Sequence, residues 1–268
     1  MEPNLKNIFY NKFNFFKSIL KLYLCQKKTF KLENLSEKLE INEIFNDNRI
    51  NENYLEDQNL IKKSNIPDLK GGVNEGDRKA LYFLINKMQP NNILEVGTHI
   101  GSSTLSLALA AKKYGGKIDT VDIIDVNKEE ISYWKKYNSQ NSPKKNLTNI
   151  NCEDSVTFIT SDSKDYLESS KNKYNFIFLD GSHSSDQVYN EISLALNILD
   201  KNGIILLHDY FPKGKVLWHE TKKTIYGPYL AIERILKEGN IIKVEPFDNL
   251  PWKTKFNSNK SSLAIIYK

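Results

Sequence analysis

The chain has 268 residues, 40% of them hydrophobic, with a net charge of +5 at pH 7, enough apolar side chain for one sizeable core and a smaller appendage. Positive charge is nearly all lysine, since Arg49, Arg78 and Arg234 are the only arginines, and this speaks against a nucleic-acid reader, which leans on bidentate guanidinium contacts. Cys25 and Cys152 stand too far apart in sequence to suggest a disulfide framework or a thiolate zinc centre, and no apolar run reaches membrane-spanning length. With no signal-peptide core before Leu24, the expectation is a soluble cytoplasmic protein with reduced thiols.

Residues 1–70 read as a helical extension and 71–268 as the main domain. Leu5, Ile8, Phe9, Phe13, Phe16, Ile19, Leu20, Tyr23 and Leu24 recur at helical spacing, with Lys6, Lys12, Lys17 and Lys21 between them. This predicts an amphipathic helix or helix pair whose apolar face packs on the main domain or on a second copy in a homodimer. Attachment to an anionic membrane is the alternative. Residues 31–65 turn acidic and Asn-rich, which predicts short helices and loops. Ile66-Pro67 and Gly71-Gly72 then punctuate the chain.

From residue 76 the order alternates. A helix over 77–87 precedes a strand over 92–96 and a helix over 102–113, which Gly115-Gly116 ends. A strand over 118–121 follows, then a helix bearing Tyr and Trp from about Lys128. A strand over 156–160, a short helix and a strand over 175–179 come next. A helix over 185–199 carries Val188, Ile192, Ala195, Leu196 and Leu199 on one face, and Asn202-Gly203 turns the chain into a strand over 204–207. A helix over 229–237 leads to strands over 241–244 and 263–267. Alternating apolar strands and helices predict an α/β fold with a doubly wound, mainly parallel sheet of seven strands. The last two strands, with no helix between them, predict an antiparallel hairpin closing it.

In such a sheet ligands collect beyond the carboxyl ends of the strands. The first strand runs through Glu95 into Gly97-Thr98-His99-Ile100-Gly101 and a helix opening on Ser102 and Ser103. Two glycines four apart let the backbone approach a small ligand closely, and the helix N-terminus offers free N–H groups. The spacing is not the GxGxxG of dinucleotide loops, and Glu95 would repel a phosphate but attract an ammonium. The second strand ends in Asp122-Ile123, placing a carboxylate about twenty-five residues past the first glycine, a distance suited to ribose hydroxyls.

This loop, followed by that acid, resembles the first motifs of class I S-adenosylmethionine (SAM) methyltransferases. Their Rossmann-like fold matches the order of elements above. The resemblance implies that Glu95, Gly97, Thr98, Gly101, Ser102, Ser103, Asp122, Ile123, Asp162, Ser163 and Asp180 hold SAM. Asp162 and Ser163, at the end of the third strand, would meet the adenine edge, although Asp162 could equally cap the helix that follows. Asp180-Gly-Ser-His183 and His208-Asp209-Tyr210 end the fourth and fifth strands, a concentrated group of titratable side chains.

These motifs are similar to methyltransferase family 24, with relatives among macrocin-type and catechol-type O-methyltransferases. In catechol-type enzymes the two strand-end acids bind Mg²⁺, which implies Asp180 and Asp209 here. Tyr210 stands where their third ligand, an amide, would be, leaving His208, His183 or water to complete a site. Their lysine base corresponds to His183. The resemblance therefore implies O-methylation of a small molecule or sugar, with His183, Asp180, Asp209 and His208 as catalytic residues and Mg²⁺ as an optional cofactor. A nicotinamide-dependent oxidoreductase and a non-catalytic SAM-binding or membrane-associated protein are the rival readings. The aromatic and lysine-rich segment 211–228 reads either as an acceptor-binding lid, with Trp218 under a sugar, or as a surface loop.

Overall fold

Residues 5–28, 36–69, 71–137, 139–221, 224–240 and 242–267 are described by a computed structural model, with the side chains of residues 5–10 outside the description. Leu5, Lys6, Ile8 and Phe9, as side chains, and Ile241 of the expected sixth strand therefore lie outside the described residues.

Three helices come first: α1 (Leu5–Tyr23), α2 (Ile41–Phe45) and α3 (Asn48–Lys63). The sequence of α3 is polar, and short helices and loops were the expectation for this stretch, yet it forms sixteen helical residues. Local capping and one buried face account for the difference. Asp47 accepts from Ile50 N at 3.1 Å, Lys62 and Lys63 sit in the last turn, and Ile50, Tyr54 and Asp57 turn inward. Tyr54 meets the rings of Tyr82 and Phe83, and Asp57 accepts a 2.5 Å hydrogen bond from the Tyr82 hydroxyl. Tertiary packing thus outweighs the weak hydropathy signal.

The main domain follows in chain order as α4 (Glu75–Met88), β1 (Asn92–Val96), α5 (Ser102–Lys112), β2 (Lys117–Asp122), α6 (Pro143–Asn149), β3 (Val156–Thr160), α7 (Ser163–Ser169), β4 (Tyr174–Leu179), α8 (Ser185–Ile198), β5 (Leu199–Leu207), α9 (Gly227–Lys237), β6 (Lys243–Pro246) and β7 (Ala264–Tyr267). The strands form one sheet in the order β3-β2-β1-β4-β5-β7-β6. Five are parallel, and β7 runs antiparallel to both β5 and β6. The expected Rossmann-like, mainly parallel sheet of seven strands with an antiparallel C-terminal pair is the fold observed. Both faces of the central strands are covered, so Ile93, Leu94 and Val96 of β1 and Phe176, Ile177 and Phe178 of β4 are buried. The chain reverses direction across the sheet between β1 and β4, which opens the crevice at their carboxyl ends.

Two local expectations need correction. The helix expected from Lys128 is a short 3₁₀ turn over Tyr133–Tyr137 followed by α6. Ser132 takes a left-handed φ of 44°, and Pro143 starts a new helix capped by Ser142, which accepts from Lys145 N. β5 begins at Leu199 rather than 204, with its pairing to β4 shifting register between Tyr174 and Phe176.

α1 packs one face on α8 and α9. Leu22 is buried, Ser185 Oγ donates to the Ser18 carbonyl at 2.6 Å, and Arg234 donates to the carbonyls of Leu22 and Cys25. Its other face leaves Phe13, Phe16, Leu20 and Tyr23 exposed. Among the described residues no helix is long and apolar enough to cross a membrane.

Candidate active site

A cavity of 570 Å³ opens at the carboxyl ends of β1, β2, β4 and β5, and a second of 270 Å³ adjoins it, sharing Gly97, Asp122, Ile123 and Gly181. Gly97 makes the junction by close approach: its φ is +99°, and a Cβ there would lie 2.4 Å from the Asp180 carbonyl oxygen. The loop it begins is tied to β2. Gly97 N donates to the Val121 carbonyl at 2.8 Å, and His99 N donates to Asp122 Oδ2 at 2.8 Å. Asp122 also accepts from Ile124 N at 3.2 Å, so its carboxylate is aimed before any ligand arrives.

Thr98, Ser102, Ser103, Asp122 and Ile123 line the larger cavity, as do Asp180, His183, His208 and Asp209. Asp162 and Ser163 line the smaller one. Glu95 and Gly101 line neither. Gly101, with φ +77°, presses against Pro143, where a Cβ would come within 2.7 Å of the proline Cβ. Glu95 is fully buried beneath the loop, accepting from Thr104 Oγ1 at 2.5 Å and Thr120 Oγ1 at 2.6 Å. Burial pushes its carboxyl up to about 7, against the stabilising hydroxyls around it. Glu95 thus ties β1 to β2 and α5 instead of facing the crevice.

In the smaller cavity Asp162 caps α7 through Lys164 N at 2.8 Å. Ser163 Oγ donates to Glu191 Oε1 at 2.6 Å and accepts from Gln187 Nε2 at 3.0 Å. Burial raises the Glu191 carboxyl to about 7. Gln187 and Glu191 sit on α8, away from any strand end, with nothing in the local sequence to mark them.

The densest cluster joins β4 and β5. His208 Nδ1 lies 2.7 Å from Asp180 Oδ1 and 3.7 Å from Asp209 Oδ1, and its Nε2 lies 3.5 Å from Asp77 Oδ2. Burial opposes charge on this imidazole, but Asp180 and Asp209 outweigh it and hold His208 well above the usual histidine range. Asp77 is completely buried in the first turn of α4, where it accepts from Asn74 Nδ2 at 2.6 Å and Ser261 Oγ at 2.7 Å. It too was missed, because a first-turn acid is an ordinary helix signal. His183 is half exposed, with Nδ1 3.3 Å from Asp209 Oδ2.

Asp180, His208 and Asp209 offer ligand atoms within 4.8 Å of one another. Tyr210 turns into the core beside Tyr229 and contributes none. Trp218 is buried against Phe211, with Lys255 Nζ 4.7 Å from its ring centroid, so no open indole face is left to stack a sugar.

Residues 94–210 match a family model described as a methyltransferase domain. The Dictyostelium discoideum protein named probable caffeoyl-CoA O-methyltransferase 3 is 26% identical over 159 residues, covering 56% of this chain and 57% of that protein. The match thus spans little more than half the length of that relative. The O-methyltransferase TomG of Streptomyces achromogenes, solved with SAM, superposes with a TM-score of 0.54 at 15% identity over 98% of each chain. An O-methyltransferase of Bacillus cereus, solved with S-adenosylhomocysteine (SAH), gives 0.52 at 20% identity over 82% of this chain and 90% of that one. The solved structures share this fold, and the matched residues 94–210 run from β1 through β5, across the strand ends that line both cavities.

Proposed function

We propose that this protein is a SAM-dependent methyltransferase that transfers the sulfonium methyl group to a hydroxyl of a small molecule. One observation carries the reading: His183, Asp180, His208 and Asp209 face the same cavity as the Gly97 loop and Asp122. Asp122 would hold the ribose hydroxyls, and the smaller cavity, with Asp162 and Ser163, would receive the adenine. In the larger cavity the acceptor oxygen attacks the methyl carbon in line as the carbon–sulfur bond breaks. The sulfur keeps the electron pair and leaves as the neutral thioether of SAH. His183 is the general base for the hydroxyl proton. With Nδ1–H directed at Asp209, its Nε2 is free to accept.

The donor set also fits a divalent cation. Asp180 and Asp209 supply carboxylate oxygens and His208 an imidazole nitrogen, a mixed set nearer to Mn²⁺ or Fe²⁺ preference than to the all-oxygen shell of Mg²⁺. Such an ion would acidify an acceptor hydroxyl.

Calorimetry of the purified chain with SAH tests the donor assignment. Heat of binding with 1:1 stoichiometry is expected. No heat with SAH or SAM, alongside thermal stabilisation by NAD(H), would replace this reading by the oxidoreductase one. Titration with Mn²⁺ followed by electron paramagnetic resonance tests the metal, and Asp180→Asn should abolish binding.

A further inference from the structure

Among the described residues Lys255 is the only lysine or arginine lining the larger cavity, beside three carboxylates. Each of those acids already has a partner. Asp122 accepts from the backbone of His99 and Ile124, Asp180 holds His208, and Asp209 faces His183. Lys255 Nζ rests instead on the buried ring of Trp218, 4.7 Å from its centroid, and no carboxylate pairs with it among the described residues. A ring face attracts an ammonium but does not neutralise it, so the charge remains available to a ligand.

The segment between β6 and β7 that carries Lys255 is well tied down. Thr254 N donates to the Ser258 carbonyl, and Ser258 N donates to the Lys255 carbonyl, both at 2.8 Å. Leu250 N bonds the Asn259 carbonyl at 2.8 Å. Phe256 and Asn257 at the tip take left-handed φ values of 52° and 57°, and the Lys253 carbonyl sits so close to Gly76 that a Cβ there would be 2.4 Å away. Lys255 therefore reaches the cavity from a firm base, on a different element from those that carry the glycine loop and the base.

We infer that Lys255 anchors an anionic group, a carboxylate or a phosphate, on the methyl acceptor, whose hydroxyl lies toward His183. This rests on the methyltransferase reading and narrows its substrate class to hydroxylated acids. The donor's own carboxylate is the competing source of the same chemistry, and the experiment separates the two.

The full chain is titrated with SAH and then, loaded, with two matched pairs: 3,4-dihydroxybenzoate against its amide, and D-glucuronate against D-glucose. The native chain should prefer the acid in at least one pair by about tenfold or more. Lys255→Met should bring that ratio to about one, Lys255→Arg should restore it, and SAH affinity should stay within about twofold in both variants. Equal binding of acid and neutral partner in both pairs overturns the assignment, as does a preference that survives Lys255→Met. A tenfold loss of SAH affinity in Lys255→Met reassigns the lysine to the donor and equally overturns it. If SAH does not bind at all, the donor reading fails by itself. The pairs are then titrated on the unliganded chain, where the same preference still decides the role of Lys255.

Discussion

The 570 Å³ and 270 Å³ cavities meet along Gly97, Asp122, Ile123 and Gly181, yet their remaining walls differ in kind. The larger is walled by Asp180, Asp209, His183 and His208, set in ion-pair geometry with one another. The smaller is walled mainly by Ser161, Ser163, Ser182, Ser184 and Gln187, neutral groups that donate and accept, with two acids, Asp162 and Glu191, that are hydrogen-bonded within its own wall. Groups that change charge suit a step in which a proton moves. Groups that keep a neutral hydrogen-bond pattern suit the reading of a base edge. On the proposed function, one crevice has a reactive end and a recognition end, with Asp122 on the boundary.

The sharpest way to break this division is to remove the proposed base. His183→Ala should slow methyl transfer by about 10²–10⁴-fold and leave SAH affinity within about twofold. Single-turnover kinetics and calorimetry on the same preparation measure both. A large loss of SAH affinity would move His183 across the boundary, and an undiminished rate would remove it from the chemistry.

The reactive end was largely legible in the sequence, because strand-end motifs project chemistry from consecutive residues: Asp180 to His183 after β4, and His208-Asp209 after β5. What sequence could not show lies on other elements and meets the site only after folding. Asp77 reaches His208 from α4, Gln187 and Glu191 reach Ser163 from α8, and Lys255 arrives from the connection between β6 and β7. The fold followed the same pattern. β1, apolar but for Asn92 and Glu95, and β3, a continuous apolar or β-branched run, fall on the expected residues. α3, whose stability comes from its buried Tyr54 and Asp57, does not announce itself by hydropathy. Glu95 sits between these cases: its position in the motif was evident, but its burial under Thr104 and Thr120 was not.

Glu95 offers the next test, since a strut beneath both cavities and a ligand inside one of them behave differently with pH. Its carboxyl is raised from 4.5 to about 7 by burial, so the folded chain keeps a proton that the unfolded chain releases. The stability it contributes is complete below about pH 4.5 and is lost as pH climbs through about 7. The loss amounts to about 3 kcal/mol at pH 8. Gln at this position can accept from both threonine hydroxyls and carries no charge. Glu95→Gln should therefore unfold like the native chain near pH 4.5 and resist urea better at pH 8. SAH affinity at pH 7 should change less than about twofold. A tenfold weaker SAH complex would return Glu95 to the ligand's surroundings.

On the boundary itself, Asp122→Ala should weaken SAH by about 1–3 kcal/mol through lost hydrogen bonds. The backbone donors of His99 and Ile124 lose their acceptor as well, so the melting temperature without ligand has to be compared in parallel. If affinity holds while stability falls, Asp122 only pins the loop, and the two ends of the crevice would share no ligand contact at this residue.

The smallest expected effect separates two roles at the recognition end. Asp162 caps α7 with Oδ1, which accepts from Lys164 N and Asp165 N, and asparagine caps about as well as aspartate. Asp162→Asn should keep the helix and leave thermal stability within a few tenths of a kcal/mol. An adenine amine that donates to the carboxylate would lose a charge-assisted bond and keep at most a neutral one, roughly halving that contact. SAH affinity should then fall about three- to tenfold with no change in melting temperature. Equal affinity in the two proteins would make Asp162 a helix cap alone and leave the reading of the base to the serines, Gln187 and Glu191 of this cavity.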